Sequence, residues 1–168
     1  MPNPLIQVSR LTKYFPIKTG VFQRTAGWIK AVDGISFHIR SGEMLGLVGE
    51  SGCGKSTAGK AMINLERPTA GEVLLNMAPE GDPPQYVDIT RLNRRARKRL
   101  RQKVQIIFQN PYGSLNPRMT VNRMLKEIIN YYDLAPSAQA AHERILHLLD
   151  RVGLHPEDLN KYPHEFSG

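Results

Sequence analysis

Eight consecutive residues, Gly49-Glu50-Ser51-Gly52-Cys53-Gly54-Lys55-Ser56, follow the spacing Gly-x-x-x-x-Gly-Lys-Ser/Thr. This is the phosphate-binding pattern of nucleotide-binding proteins. With ordinary glycine usage a chain of this length meets it by chance on the order of one time in two hundred, so a plain glycine-rich turn is the weaker explanation. Glycines let the backbone curl until successive N–H groups point inward, where a Cβ would obstruct them. A helix starting at the end of the loop adds its positive pole. Lys55 is then expected to reach the β- and γ-phosphates of a nucleotide, Ser56 to ligate Mg2+, and Thr57 to add a hydroxyl contact. Cys53 lies inside the loop. Its alkylation is expected to block nucleotide binding and ATP to protect it, the competing reading being an inert small residue that fills the loop.

Such a loop needs a strand before it and a helix behind it, and the sequence offers both. Ile35, Phe37 and Ile39 alternate with Ser36, His38 and Arg40, the period of a half-buried strand, which places His38 on a solvated face. After the Ser41-Gly42 turn, "EMLGLV" is a short apolar run suited to a central strand. Ala58, Ala61, Met62 and Leu65 recur at i, i+3, i+4 and i+7, predicting a helix that Pro68 closes. "LIQVSRL" and "GEVLLN" have strand composition, and the glycine- and proline-punctuated "KYFPIKTGVFQRTAGWIK" reads as loop or hairpin.

Further on, Leu92, Ala96 and Leu100 form a narrow apolar stripe through an intensely basic stretch, predicting a surface helix capped by Thr90. "VQIIF" is a buried-strand candidate ending at Gln109, and "NPYGSLNPRM" is a turn-rich loop. Two amphipathic helices follow. One carries Val121, Met124, Leu125, Ile128, Ile129 and Tyr132 on a single face; the other carries Ala141, Ile145, Leu148, Leu149 and Val152, with Gly153 as its cap.

The chain has 168 residues, the size of one compact domain, and a formal net charge of +8. That charge points to acidic partners: nucleic acid, an anionic membrane face or nucleotide phosphates. One cysteine excludes an internal disulfide and fits a reducing compartment. The N-terminal "MPNPLIQVSR" lacks the apolar stretch and cleavage site of a signal peptide, and no apolar run is long enough to cross a bilayer. A cytoplasmic protein is expected. The basic stretch "RLNRRARKRLRQK" reads first as a solvated helix face, with anionic lipid headgroups and nucleic acid as alternatives.

The runs "AVDGISFHIRSGEMLGLVGESGCGKST", "PTAGEV", "VQIIFQNPYGSLNPRMT" and "YPHEFSG" resemble the ATP-binding subunits of ABC transporters, and within them the oligopeptide and dipeptide importers. The resemblance extends from about Leu5 to the last residue. It implies an α/β P-loop NTPase fold with an antiparallel β subdomain, a RecA-like core and the start of a helical subdomain, divided as 1–110 and 111–168. By that resemblance Gly49 to Thr57 hold ATP, and Phe15 stacks on adenine, with Tyr14 the second choice. Gln109 is the Q-loop glutamine that approaches Mg2+ and the attacking water, and Ser167 and Gly168 open the signature motif that binds ATP held by a second subunit.

The partners it implies are a second ATPase subunit, identical or not, integral membrane permease subunits and, indirectly, an extracytoplasmic solute-binding protein, at the cytoplasmic face of the membrane. A nickel or glutathione importer is a neighbouring reading. The family's Walker B acids, D-loop and switch histidine come after the signature. In "ILHLLDR" the apolar spacing before Asp150 is helical and Arg151 stands where the catalytic Glu would be, and His164 precedes the signature. Residues 1–168 alone are therefore expected not to hydrolyse ATP, and in isolation to bind it weakly or to expose apolar surface and aggregate. One departure is local: Arg123 stands where relatives often place an acid, so Thr120 is expected to cap its helix alone.

Overall fold

The computed structural model describes residues 3–21, 23–79, 81–110 and 112–166. The chain forms two compact units, Met1–Leu100 and Arg101–Gly168. In the first, β1 (Pro4–Thr19) and β2 (Arg24–Arg40) form a long hairpin, joined by β3 (Ala70–Asn76) and β4 (Tyr86–Asp88). Among the described residues these make one antiparallel sheet in the order β2-β1-β3-β4. The punctuated segment expected as loop or hairpin is hairpin: Gly20 turns the chain at φ 73°, and Phe15, Pro16 and Ile17 face Ile29, Trp28 and Gly27. The alternation on β2 holds, with Ile35, Phe37 and Ile39 half-buried and Ser36, His38 and Arg40 exposed.

Helix α1 (Lys55–Met62) packs on β1 and β2 through Ala58 and Ala61, whose small side chains bring it close to the sheet. Val8, Leu11, Val32, Val73 and Leu75 form the buried side of the strands. The helix is shorter than its apolar stripe suggested. Asn64 adopts the left-handed conformation at φ 55°, and the N–H groups of Asn64 and Leu65 turn back to the carbonyls of Ala61 and Lys60. Leu65 therefore lies beyond the helix, and the Asn64 amide donates to the Ile89 carbonyl at 2.6 Å.

α2 (Arg94–Lys103) is the basic helix, with Leu100 buried. Its cap is Asn93, whose Oδ1 accepts the Ala96 N–H at 2.9 Å. Thr90, the expected cap, is already committed: its N–H and hydroxyl both donate to Asp88 Oδ1 in a tight turn over Ile89–Arg91.

Two expected strands do not form. Among the described residues, 43–48 and 104–108 lie outside any strand, and Met44, Val48 and Ile107 are 96%, 94% and 93% exposed. A strand is a property of a pair, because an extended chain leaves its N–H and C=O groups unsatisfied until another strand meets them. The apolar composition of both segments is real, but among the described residues no strand pairs with them, so neither of these two strand candidates forms.

The second unit is built on α3 (Val121–Tyr132) and α4 (Ala138–Arg151). Ile129, Ala141, Ile145, Leu149 and Leu159 are buried together, with Val121, Leu125, Leu134 and Leu154 against them. The buried stripe is narrower than the sequence suggested, since Ile128, Leu148 and Val152 face outward. Thr120 caps α3 alone, accepting the Arg123 N–H at 3.4 Å, and Ser137 caps α4. Both helices end as α1 does. Asp133 and Gly153 are left-handed, and the N–H groups of Leu134 and Leu154 reach back to Ile129 and Leu149. Asp150 lies on α4, confirming that "ILHLLDR" is helical, and His164 stacks on Tyr162 with ring centres 5.7 Å apart.

Asp158 ties the end of this unit to its beginning. Its carboxylate accepts the His155 N–H at 2.8 Å and lies 2.6 Å from Lys161 Nζ, and the Lys161 carbonyl accepts the Val121 N–H that starts α3. Lys161 and then the His155 N–H hold the Asp158 carboxyl below the usual carboxylate range, and Lys161 is correspondingly raised. A depressed carboxylate contributes stability that is present above its unfolded pKa and lost as pH falls through the folded value. Unfolding in urea is therefore expected to become easier below about pH 4, and Asp158→Asn to weaken the chain near neutrality while flattening that acid dependence. An unchanged acid profile in the variant would remove Asp158 from this role.

Candidate nucleotide-binding site

The phosphate-loop pattern folds as a loop seated on the hairpin. Glu50 to Cys53 make a turn in which the Cys53 N–H approaches the Glu50 carbonyl at 3.4 Å, and Gly52 has φ 82°. Gly54 follows at φ 95° as the cap of α1, and a Cβ there would lie 2.0 Å from the Ala31 carbonyl oxygen of β2. The position is doubly restricted: its backbone is left-handed, and the strand beneath leaves no room for a side chain. Ala31 is the contact that sequence reasoning missed. Nothing in its type marks it, because its part is played by its backbone carbonyl.

The first intrahelical bond of α1 runs from the Ala58 N–H to the Gly54 carbonyl at 2.8 Å, and no side chain caps the helix. The N–H groups of Lys55, Ser56 and Thr57 thus have no partner within the helix, and its first turn carries no acid. Lys55 folds over the loop, donating to the carbonyls of Gly49 at 2.7 Å and Glu50 at 2.6 Å, with its Nζ 3.6 Å from Cys53 Sγ. A cation, free N–H donors and a helix N-terminus converge on a glycine-rich turn, which fits a polyphosphate.

For Mg2+ the fit rests on Ser56, whose exposed side chain lies one residue after Lys55. Among the described residues no group of three His, Cys, Asp or Glu side chains could hold a metal. A single protein oxygen suits a cation that keeps much of its shell as water and phosphate oxygen.

Phe15 and Tyr14 share β1 but differ in commitment. The Tyr14 hydroxyl donates to Asp33, Lys30 Nζ lies 5.3 Å from its ring centre, and its N–H donates to Thr69 Oγ1 at 2.9 Å. The Asp33 hydrogen bond raises the Tyr14 phenol above its ordinary range, the same bond lowers Asp33, and Asp33 raises Lys30. Phe15 is half-buried and has Lys13 Nζ 4.8 Å from its ring centre. That lysine is itself fixed by the Arg67 carbonyl at 2.9 Å and Glu66 at 3.4 Å. The cross-strand register that brings Tyr14 opposite Lys30 creates this cluster, and no spacing in the sequence announces it.

The first unit therefore holds Gly49, Glu50, Ser51, Gly52, Cys53, Gly54, Lys55, Ser56, Thr57 and Phe15. Gln109 belongs to the second unit and is exposed in a bend. Ser167 and Gly168 lie outside the described residues.

Residues 32–168 match the ABC transporter family. The chain belongs to that family. Among its relatives, the oligopeptide transport ATP-binding protein AppF of Bacillus subtilis is 46% identical over 98% of this chain and 47% of its own length. The dipeptide transport ATP-binding protein DppF of Escherichia coli is 41% identical over 100% of this chain and 47% of its own length. The glutathione import ATP-binding protein GsiA of Pectobacterium atrosepticum is 42% identical over 99% of this chain and 25% of its own length.

The chain thus spans about half the length of the peptide-transport relatives. A solved dimeric bacterial ABC transporter cassette superposes with a TM-score of 0.71 at 25% identity, covering 97% of this chain and 63% of that one. A post-hydrolysis state bound to ADP and Pi gives 0.69 at 26% identity, with 96% and 63% covered. The ABC cassette fold is thereby established. No helix among the described residues is long and apolar enough to cross a membrane.

Two outcomes test the loop. Gly54→Ala should lower ATP affinity by about tenfold or more, since the displaced backbone costs on the order of 1–3 kcal/mol, measured by calorimetric titration. Maleimide should label the exposed Cys53 and abolish ATP binding, and ATP should slow the labelling. Undiminished ATP binding by fully labelled protein would show the Cys53 side chain to be remote from the nucleotide.

Proposed function

We propose that this chain is the ATP-binding front part of the energy-coupling subunit of an ABC importer of oligopeptides or dipeptides, in which ATP hydrolysis by the complete protein drives transport. The observation that carries the reading is the 41–46% identity to peptide-transport ATP-binding proteins along essentially the whole chain, phosphate loop included. Glutathione import is the second reading, favoured by the 42% identity to a glutathione import protein.

In this reading the free N–H groups of Lys55, Ser56 and Thr57 receive the phosphates. The Lys55 ammonium exchanges its two carbonyl partners for β- and γ-phosphate oxygens. Ser56 would hold Mg2+, which when bound neutralises phosphate charge. Phe15 offers a ring to the adenine, while Tyr14 is held by Asp33. Gln109 would approach Mg2+ and the attacking water once a nucleotide is in place. Ser167 and Gly168 would contact nucleotide held by a second ATPase subunit in a head-to-tail dimer. Permease subunits, served by a solute-binding protein outside, would couple that closure to transport at the cytoplasmic face.

Lys55→Ala should reduce ATP affinity by roughly tenfold to a hundredfold, and Phe15→Ala by roughly tenfold, read by displacement of a fluorescent ATP analogue. Residues 1–168 should show no turnover, and phosphate release that Lys55→Ala removes would refute that. In cells, Lys55→Ala in the complete protein should abolish uptake of labelled peptides. Loss of glutathione uptake with peptide uptake intact would replace the first reading by the second.

A further inference from the structure

The basic helix borders a groove whose chemistry the phosphate loop does not use. α2 carries Arg94, Arg95, Arg97, Lys98, Arg99, Arg101 and Lys103 within ten residues and no acid. Between its first two turns and the β3–β4 edge lies a cavity of about 370 Å3. Met77, Val87, Ile89, Leu92 and Leu100 give it an apolar floor, with Ile89 and Leu100 buried. Arg95 and Arg99, one helical turn apart and both exposed, stand at its rim, and among the described residues no acidic side chain lines it. The apolar stripe of the helix supplies one wall, and the cations come from the positions beside that stripe.

We propose that this groove docks an anionic phospholipid headgroup at a membrane surface, the phosphate on Arg95 and Arg99 and the glycerol and first acyl carbons on the apolar floor. Basic amphipathic helices gather at anionic lipid surfaces, and basic pockets take lipid head groups. Arginine pairs with phosphate through two parallel hydrogen bonds, which a rim of two arginines favours. Nucleic acid fits less well. Single strands need rings to stack on, the lining contains no aromatic residue among the described residues, and a duplex backbone has nothing to place on a hydrocarbon floor. The inference uses only residues of the first unit and α2 and does not rest on the importer reading.

The test is flotation of the full chain with vesicles of phosphatidylcholine, with and without phosphatidylglycerol. Binding should require phosphatidylglycerol and fall roughly tenfold or more in the double variant Arg95→Gln, Arg99→Gln, in line with the usual contribution of two cations. Arg94→Gln with Arg101→Gln removes the same charge away from the groove and should cost clearly less. In the unaltered chain, a short-chain phosphatidylglycerol should shift the Met77 methyl resonance, which reports the groove without any substitution. Equal losses from the two pairs, equal binding to phosphatidylcholine alone, or an unmoved Met77 signal would overturn the proposal. So would displacement of the vesicles by an oligonucleotide at lower concentration than soluble phosphatidylglycerol.

Discussion

The site depends on one close approach of backbone to backbone, where the loop that ends at Gly54 rests on the Ala31 carbonyl of β2. Everything that makes the loop useful for phosphates follows from that seat. α1 starts immediately afterwards, so its free N–H groups are held at a fixed height above the hairpin. Ala58 and Ala61 keep the helix close behind, and Lys55 folds over the front onto the Gly49 and Glu50 carbonyls. A larger side chain in the seat would separate loop from strand and helix from sheet together. The candidate phosphate site is thus a property of loop, strand and helix jointly, consistent with the general preference for preorganised donors over flexible ones.

Helix endings recur as a second constraint. α1, α3 and α4 each stop at a left-handed residue, Asn64, Asp133 or Gly153, followed by Leu65, Leu134 or Leu154. Gly bears the left-handed backbone without strain, and Asn and Asp bear it better than other residues. The leucine then returns toward the helix it has just left, and Leu134 and Leu154 join the buried cluster of the second unit. This device fixes where α1 ends, and hence places Asn64 so that its amide reaches the Ile89 carbonyl.

The apolar segments at 43–48 and 104–108 illustrate the opposite case. Each has the composition of an interior strand, and among the described residues each lies outside any strand and is largely exposed. They flank the chemistry closely: the first leads into the phosphate loop and the second into Gln109. Composition settled that these residues favour burial in a sheet, and only a neighbouring strand can turn that preference into a ladder.

The sequence by itself determined the phosphate-loop pattern, its helix, the alternation on β2 and the two amphipathic helices, because each rests on local spacing that one stretch of chain carries within it, and its resemblance over several separate runs pointed to the family. It also determined that Thr120 caps without an acidic partner. The tertiary structure alone decided that Ala31 seats Gly54, that Lys30 and Asp33 engage Tyr14, that Lys13 sits on Phe15, and that Asn93 takes the capping role in place of Thr90. Those outcomes depend on hairpin register and on competition between nearby donors and acceptors. Both are settled by residues distant along the chain or by hydrogen bonds of similar strength, so no local pattern could have chosen between them.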